Sequence, residues 1–184
     1  TSYLQSGENY NAAGSAFSLN DMHAGAYINA EGAASGARPL LGQSGSGTRV
    51  AISSQKGSTT GGTTRIADNV SSSYTQPDST RKGHRVITRR DSSNKHIFIN
   101  GSNKQSFAVA STGTGTAMWV LLSTTTYTDD QVAAFHSGIQ LSDSEIAALH
   151  TALHTYMTAI GAIACIRKFG MKVPESLSVM GIDD

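Results

Sequence analysis

The chain of 184 residues is long enough for one domain with a sizeable hydrophobic core. A formal net charge of +1 and a charged fraction of 15% provide no strong field for nucleic acid or an anionic membrane surface, so neither is expected as a partner. The single cysteine excludes a disulfide framework within the chain and a cysteine-based zinc cluster. No apolar run approaches the roughly 18 residues of a membrane span, and no signal peptide is visible at the start.

Short β-branched or alternating segments in the first part of the chain predict strands. Segments rich in Gly, Ser, Thr and Asn lie between them and predict turns. These segments are residues 24–29, 49–53 and 64–67. The longest polar loops are expected at residues 56–63 and 71–82. This part of the chain therefore predicts short strands joined by polar loops.

Residues 84–110 contain the clearest β pattern and predict an antiparallel meander of three strands. The strands are expected at residues 85–89, 96–99 and 105–110. Asn100 and Gly101 both tolerate positive φ, so they predict a tight turn between the second and third strands.

Two further strands are predicted at residues 117–122, the most apolar segment, and 131–136. The total of about eight to ten strands, with a turn signal roughly every 8–14 residues, is typical of an antiparallel β-sandwich or jelly roll. The predicted fold class is therefore mostly β.

The pattern changes to helical spacing after residue 141. Ser142 and Glu145 form a capping box, which predicts the start of a helix. Apolar residues follow at helical spacing, at Ile146, Leu149, Leu153, Tyr156, Met157 and Ile160. The helix is expected to run to about residue 161, with an extension to 168 left open, and a hydrophobic strand is expected at 177–182.

Three segments together resemble a known domain type. Residues 18–27 (SLNDMHAGAY) open it, and residues 96–101 (HIFING) look like the "LYVNG" hairpin of concanavalin A-like (laminin-G/pentraxin-like) jelly rolls. Residues 135–149 (FHSGIQLSDSEIAAL) resemble the closing strand and helix. In this form the domain is similar to domains of tailed-bacteriophage and prophage virion proteins. The resemblance implies a β-sandwich of jelly-roll type with a long C-terminal helix over residues 1–161, located in a virion or outside the cell.

A second resemblance covers residues 159–184, AIGAIACIRKFGMKVPESLSVMGIDD. This segment is similar to LacI-type repressors, in which a helix precedes "VPEDISVVGFDD". The resemblance implies that Asp183 can contact an effector sugar. The family's effector pocket needs two α/β lobes and its DNA binding needs a helix-turn-helix, and the sequence contains neither. Residues 162–184 are therefore expected to be a helix–strand tail rather than an independent domain.

The acidic residues argue against a glycosidase, which needs two carboxylates that flank the scissile bond. The four glutamates are isolated from one another, at Glu8, Glu31, Glu145 and Glu175. Asp129 and Asp130 are adjacent, so in a strand they would point to opposite faces. The chain is therefore predicted not to be an enzyme.

His150 and His154 are the clearest pair of candidate metal ligands, since they lie four residues apart on the predicted helix. The segment lacks the Glu of the H-E-x-x-H motif and an evident third ligand. We expect them to be exposed histidines, with no metal site and no cofactor. Calcium at the oxygens of residues 68–69 or 129–130 is the alternative.

Aromatic and basic residues provide the candidate ligand contacts. Tyr74 lies in a predicted loop, where its ring can stack on a sugar, and it is preferred over Tyr27 and Trp119. Arg85 and Arg89 share one face of a strand, which either binds phosphate or an acidic glycan or is simply solvated. With Asp183, these residues are the predicted ligand-binding set.

These observations predict a non-enzymatic virion or tail-associated module, either structural or binding a cell-surface glycan, which associates with itself or with other virion proteins. The loops at residues 56–63 and 71–82 are expected to form its binding surface. Two alternatives remain, a fragment of a LacI-type sugar-responsive transcription regulator and a glycan-active enzyme domain.

Overall fold

Two antiparallel β-sheets and one C-terminal helix form the computed structural model of the protein, which is mostly β. It describes residues 4–5, 18–43, 49–112, 118–120, 122–123, 126–127 and 129–168. The fold is a β-sandwich, as predicted, because side chains from both sheets form a single hydrophobic core between them.

One sheet has six strands, with β1 and β6 at its edges. In spatial order they are β1 (Leu4–Gln5), β10 (Met118–Val120), β3 (Gly36–Gln43), β4 (Arg49–Lys56), β5 (Gly62–Asp68) and β6 (Ser72–Tyr74). A separate two-stranded ribbon pairs β11 (Leu122–Ser123) with β12 (Thr126–Tyr127).

The second sheet has five strands and contains the predicted meander. In spatial order they are β13 (Gln131–Gly138), β2 (Met22–Ala30), β7 (Gly83–Arg89), β8 (Asn94–Ile99) and β9 (Asn103–Ala108). The tight turn is confirmed, since Asn100 and Gly101 have φ angles of 52° and 76°. The strands around this turn therefore follow from local sequence.

The core between the sheets is built from alternate residues of each strand. Its apolar members include Met22, Ala24, Ile28, Leu40, Ile52, Ile66, Ile87 and Ile97. The predicted strands at 24–29, 49–53 and 64–67 lie within β2, β4 and β5, which is why their apolar residues reach this core. The loop predicted at 71–82 differs, because it contains the short edge strand β6.

Charged side chains are also buried between the sheets, and each buried carboxylate there has a cationic partner. Asp68 of β5 accepts from Arg89 of β7 and Lys95 of β8 at 3.0 Å each, and all three side chains are fully buried. Arg81 makes a two-point contact with Asp130, with its Nε at 2.7 Å and its Nη2 at 2.6 Å from the carboxylate oxygens. The Asp68 pairs connect the two sheets through the interior of the sandwich, and the Arg81–Asp130 pair connects the loop before β7 to the start of β13.

The interpretation of Arg85 and Arg89 as a solvated or ligand-binding basic face is wrong. They do share a face, but the same face carries the core residue Ile87 and points inward. Arg85 is fully buried and donates to the carbonyl oxygens of Thr80, at 2.8 Å, and Lys82. Neither guanidinium is therefore accessible to a ligand in solution.

The helix α1 spans Asp143–Lys168, so it continues through the domain boundary expected at residue 161. The capping box is confirmed, because Glu145 accepts from the Ser142 amide at 2.7 Å while the Ser142 hydroxyl accepts from the Glu145 amide at 3.3 Å. Ile146 is fully buried, whereas Tyr156 is 52% exposed. The helix thus packs on the sheet through its first turns and becomes progressively exposed.

In the described part of the chain, no helix combines the length and hydrophobicity that a membrane crossing requires. The LacI-like strand predicted at residues 177–182 and the predicted contact residue Asp183 lie outside the described residues.

The buried ion pairs predict a large effect of Asp68→Asn on stability. The substitution keeps the side-chain shape but leaves Arg89 and Lys95 in the interior without their carboxylate, so we expect a loss of about 3–5 kcal/mol in the free energy of unfolding. Asp143→Asn is the matched control, because Asp143 pairs with Arg90 and Lys104 at the surface and should cost no more than about 1 kcal/mol. Urea unfolding followed by circular dichroism measures both values. Equal losses in the two variants would contradict the prediction.

Candidate functional site

On the outer face of the five-stranded sheet, three adjacent strands, β13, β2 and β7, bring one histidine each to the same place. Along β2, alternation places His23, Gly25 and Tyr27 on this face. His136 of β13 lies directly opposite Gly25, and His84 of β7 lies directly opposite Tyr27. The strand register therefore gathers these side chains at one place.

Helix α1 lies over the same place and adds two more histidines. The rings of His84 and His150 stack with their centroids 5.8 Å apart, and those of His150 and His154 stack at 5.7 Å. The Tyr27 hydroxyl lies 3.0 Å from His154 Nδ1. We refer to the five residues as the histidine cluster: His23, His84, His136, His150 and His154.

Three of these rings form a chain of hydrogen bonds. His23 Nδ1 lies 2.5 Å from the carbonyl oxygen of Ile139, His23 Nε2 lies 3.1 Å from His136 Nδ1, and His136 Nε2 lies 2.7 Å from His84 Nε2. A carbonyl oxygen only accepts, so His23 Nδ1 carries a hydrogen and, in the neutral ring, His23 Nε2 accepts. By the same reasoning His136 donates from Nδ1, and His84 donates from Nε2. The Ile139 carbonyl thus determines the tautomer of each neutral ring.

The chain ends at His84 Nδ1, a buried nitrogen with no hydrogen-bond partner in the described part of the chain. In the tautomer required above, this atom is an unused acceptor. An unused buried acceptor costs free energy, so the end of the chain is its least stable point.

Burial lowers the pKa of four of the five rings. It lowers the pKa of His84 to about 3, and the neighbouring His136, His150, Arg85 and His23 add to this shift. Burial, followed by the neighbouring His23, lowers the pKa of His136 to about 4. The pKa values of His23 and His150 are lowered as well, in both cases chiefly by burial. These four rings are therefore uncharged at neutral pH.

Two glycines, one in β2 and one in the turn between β8 and β9, make room for the rings. A Cβ atom on Gly25 would lie 2.4 Å from His136 Cε1 and 2.9 Å from the Arg85 carbonyl oxygen. A Cβ atom on Gly101 would lie 2.8 Å from the His150 Cβ atom, and the φ of 76° at Gly101 is itself unfavourable for other residues. The close packing of the cluster thus depends on positions without side chains.

The cluster is not arranged as a metal centre. Among the described residues there is no group of three or more His, Cys, Asp or Glu that could hold a metal ion. His136 directs its two nitrogens to different neighbours, His23 and His84, so the three rings do not converge on one point.

The carboxylates considered for calcium already have partners in the protein. Asp68 and Asp130 belong to the buried ion pairs. Asp129 accepts a hydrogen bond from the Ala34 amide at 3.1 Å, and that bond lowers its pKa.

A second candidate site is a groove on the outer face of the six-stranded sheet. It has a volume of about 110 Å³. Residues of β3, β4 and β5 and the following loop line it: Pro39, Leu41, Ala51, Ile52, Ser53, Thr63, Arg65 and Ser71. The hydroxyls of Ser53 and Thr63 lie 2.7 Å apart across two paired strands, so the groove presents hydroxyls, one guanidinium and apolar carbon.

The remaining predicted site residues lie elsewhere. Tyr74 is in β6 with only 2% of its surface exposed, and its hydroxyl donates to the Ser53 carbonyl oxygen at 2.7 Å. The expectation of an exposed sugar platform at Tyr74 is therefore wrong. Tyr27 is also buried, and the side chain of Trp119 lies outside the described residues.

Sequence reasoning found only the two helix histidines of the cluster. His154 is exposed as expected, but His150 is half-buried and faces His84. The missed signal was one histidine in or directly before each of three predicted strands: His23 precedes the strand at 24–29, His84 precedes the strand at 85–89, and His136 lies in the strand at 131–136. That signal gains meaning only when β13, β2 and β7 are known to be neighbours.

A scan of the chain against models of known protein families found no matching family, and a search of curated proteins found no match.

The packing of the cluster predicts that Gly25→Ala destabilises the protein. The new methyl group would meet both the His136 ring and the Arg85 carbonyl oxygen, so we expect a loss of about 1–3 kcal/mol in the free energy of unfolding. The matched control is Gly161→Ala, since nothing lies near a Cβ there and a helical alanine should stabilise by about 0.5–1 kcal/mol. Thermal unfolding measures both changes. A neutral Gly25→Ala would contradict the close packing.

Proposed function

We propose that the chain is a non-enzymatic carbohydrate-binding module of a virion or tail-associated protein. One observation carries the proposal, the groove on the outer face of the six-stranded sheet. Helix α1 lies on the other sheet, where it contacts β7, so it does not cover this face.

The lining of the groove suits a sugar. Carbohydrates offer hydroxyl groups for hydrogen bonds and C–H surfaces for apolar contact. Ser53 and Thr63 supply hydroxyls, while Pro39 and Ala51 supply apolar surface. Arg65 adds positive charge to the lining.

The described carboxylates support a binding role over hydrolysis. No Asp or Glu is among the described residues that line the groove, whereas glycoside hydrolysis requires two. Asp68 and Asp130 are held in buried ion pairs, and Glu145 is used in the cap of α1.

A virion location follows from the resemblance to jelly-roll domains of phage and prophage proteins, and the β-sandwich with a C-terminal helix is compatible with it. The alternative of a LacI-type regulator fragment depends on residues 169–184, which lie outside the described residues.

A specific observation also favours self-association through α1. Tyr156 and Ile160 are 52% and 39% exposed on one side of the helix. Exposed apolar side chains on one side of a helix form a surface that a second copy of α1 can cover.

The groove predicts that Arg65→Ala reduces glycan binding. A glycan array identifies the ligand of the wild-type protein, and titration calorimetry then measures its affinity. Loss of a charged hydrogen bond should weaken binding by about tenfold or more. Lys82→Ala is the control, an exposed cation in a different loop, and should bind as the wild type does. Binding to no sugar, or release of new reducing ends from a bound one, would overturn the proposal.

The exposed side of α1 predicts that the protein dimerises, so we expect its molar mass in light scattering to rise with concentration. The double substitution Tyr156→Glu and Ile160→Glu should shift the protein to the monomer, because the dimer would have to bury the new charges. Thr151→Glu, on the opposite side of α1, is the control and should leave the dimer intact. A strict monomer in the wild type would contradict self-association.

A further inference from the structure

We propose that the histidine cluster is an acid-operated latch, which holds α1 on the five-stranded sheet at neutral pH and releases it on acidification while the sandwich stays folded. The inference goes beyond the proposed function, since the cluster lies on the sheet opposite the groove and does not depend on a bound sugar.

The hydrogen-bond chain can accept one added proton but not two. His136 Nε2 and His84 Nε2 are 2.7 Å apart, which requires one of them to donate and the other to accept. The unused His84 Nδ1 can take a first proton without breaking a ring–ring contact, but it places a positive charge in a buried layer. A second proton leaves two donors facing each other, either between His23 and His136 or between His136 and His84. Acid therefore first buries a charge in the chain and then breaks it.

The groups around the chain offer nothing to offset that proton. The sheet presents His23 and Tyr27 from β2, His84 from β7 and His136 from β13, and α1 presents His150 and His154. Arg85, next to His84 in β7, adds positive charge. In the described part of the chain no carboxylate is among the groups that shift the pKa of His84 or His136. A charged ring in the cluster would therefore be stabilised only by contact with water.

Helix α1 is the element that can move to admit water. Among the described residues, the fully buried apolar cluster beneath the helix contains one residue of α1, Ile146, packed with Val86 and Phe98 of the sheet. The interior of the sandwich has its own larger core and buried ion pairs, and α1 contributes to neither. Release of the helix thus exposes the rings without opening the sandwich.

The direction of the pH effect follows from the lowered pKa values. With α1 docked, the pKa values of His84 and His136 are about 3 and about 4. When water reaches the rings, both pKa values return toward 6.5, the ordinary pKa of histidine. Between these limits the released form binds more protons than the docked form, so acid favours release. Docking is fully stabilised above about pH 6.5 and is lost as the pH falls toward about 4.

Hydrogen exchange tests the latch on the unmodified protein. After correction for intrinsic rates, we expect protection of the α1 amides to fall by about tenfold or more between about pH 7 and pH 4.5, while amides of β7 and β8 keep theirs. Loss of protection in α1 and the sheet at the same pH would indicate global acid unfolding and would overturn the proposal, as would an α1 that stays protected.

Two variants test whether the histidines are the cause. His84→Phe and His150→Phe each remove one titrating ring, from the sheet side and the helix side, and retain an aromatic shape. Either change should move the pH of α1 release downward by about half a unit or more. His96→Phe is the matched control, because His96 lies on β8, bonds to Ser106 and is outside the chain of rings. If one variant fails to fold, the other carries the test, and a release that both leave at the wild-type pH would refute the assignment.

Discussion

The fold depends on strand β7, which lies between β2 and β8 and separates two kinds of buried polar group. Its inward residues Arg85 and Arg89 enter the sandwich, and its outward residue His84 enters the layer beneath α1. The inner groups are charged and hydrogen-bonded, and Arg89 is neutralised by Asp68. The outer ring is neutral and bonds to another neutral ring. One seven-residue strand therefore connects an ionic interior to a layer that excludes charge.

The core between the sheets and the layer beneath α1 satisfy their buried polar groups in different ways. A buried polar group must be hydrogen-bonded, and a buried charge must also be paired. Asp68 meets this requirement with two cations from the opposite sheet, which also fixes how the two sheets face each other. The histidines meet it by sharing hydrogens along a chain that begins at a backbone carbonyl. Removing one partner of the Asp68 ion pairs leaves an uncompensated buried charge. In the histidine chain, the addition of one proton creates such a charge.

Local signals were sufficient to predict part of this structure. The turn at Asn100 and Gly101 and the cap at Ser142 depend on residues within a few positions of one another, and both are confirmed. The β-sandwich class followed from the number and spacing of strands.

The positions of the polar side chains did not follow from such signals. Arg89 meets Asp68, which lies 21 residues earlier and in the other sheet. The period-two pattern therefore predicted that Arg85 and Arg89 share a face of their strand, but not that this face points into the core. His23 and His136 are 113 residues apart in the chain. Their contact depends on the pairing of β2 with β13, and no local pattern encodes it.

The segment between β13 and α1 explains how the helix can be released without loss of the sheet. Ile139 accepts from His23, the Gln140 amide donates to Asp21 at 2.8 Å, and the Leu141 carbonyl oxygen accepts from Arg90 at 2.8 Å. Two of these three bonds do not involve a histidine, so they persist when the rings take up protons. The chain is thereby held to the sheet up to Leu141, and Asp143, the first residue of the helix, adds ion pairs with Arg90 and Lys104. In the proposed latch these contacts keep the first turn of α1 on the sheet, so release begins beyond that turn. The helix then stays near its docking site, which makes its return on neutralisation a local step.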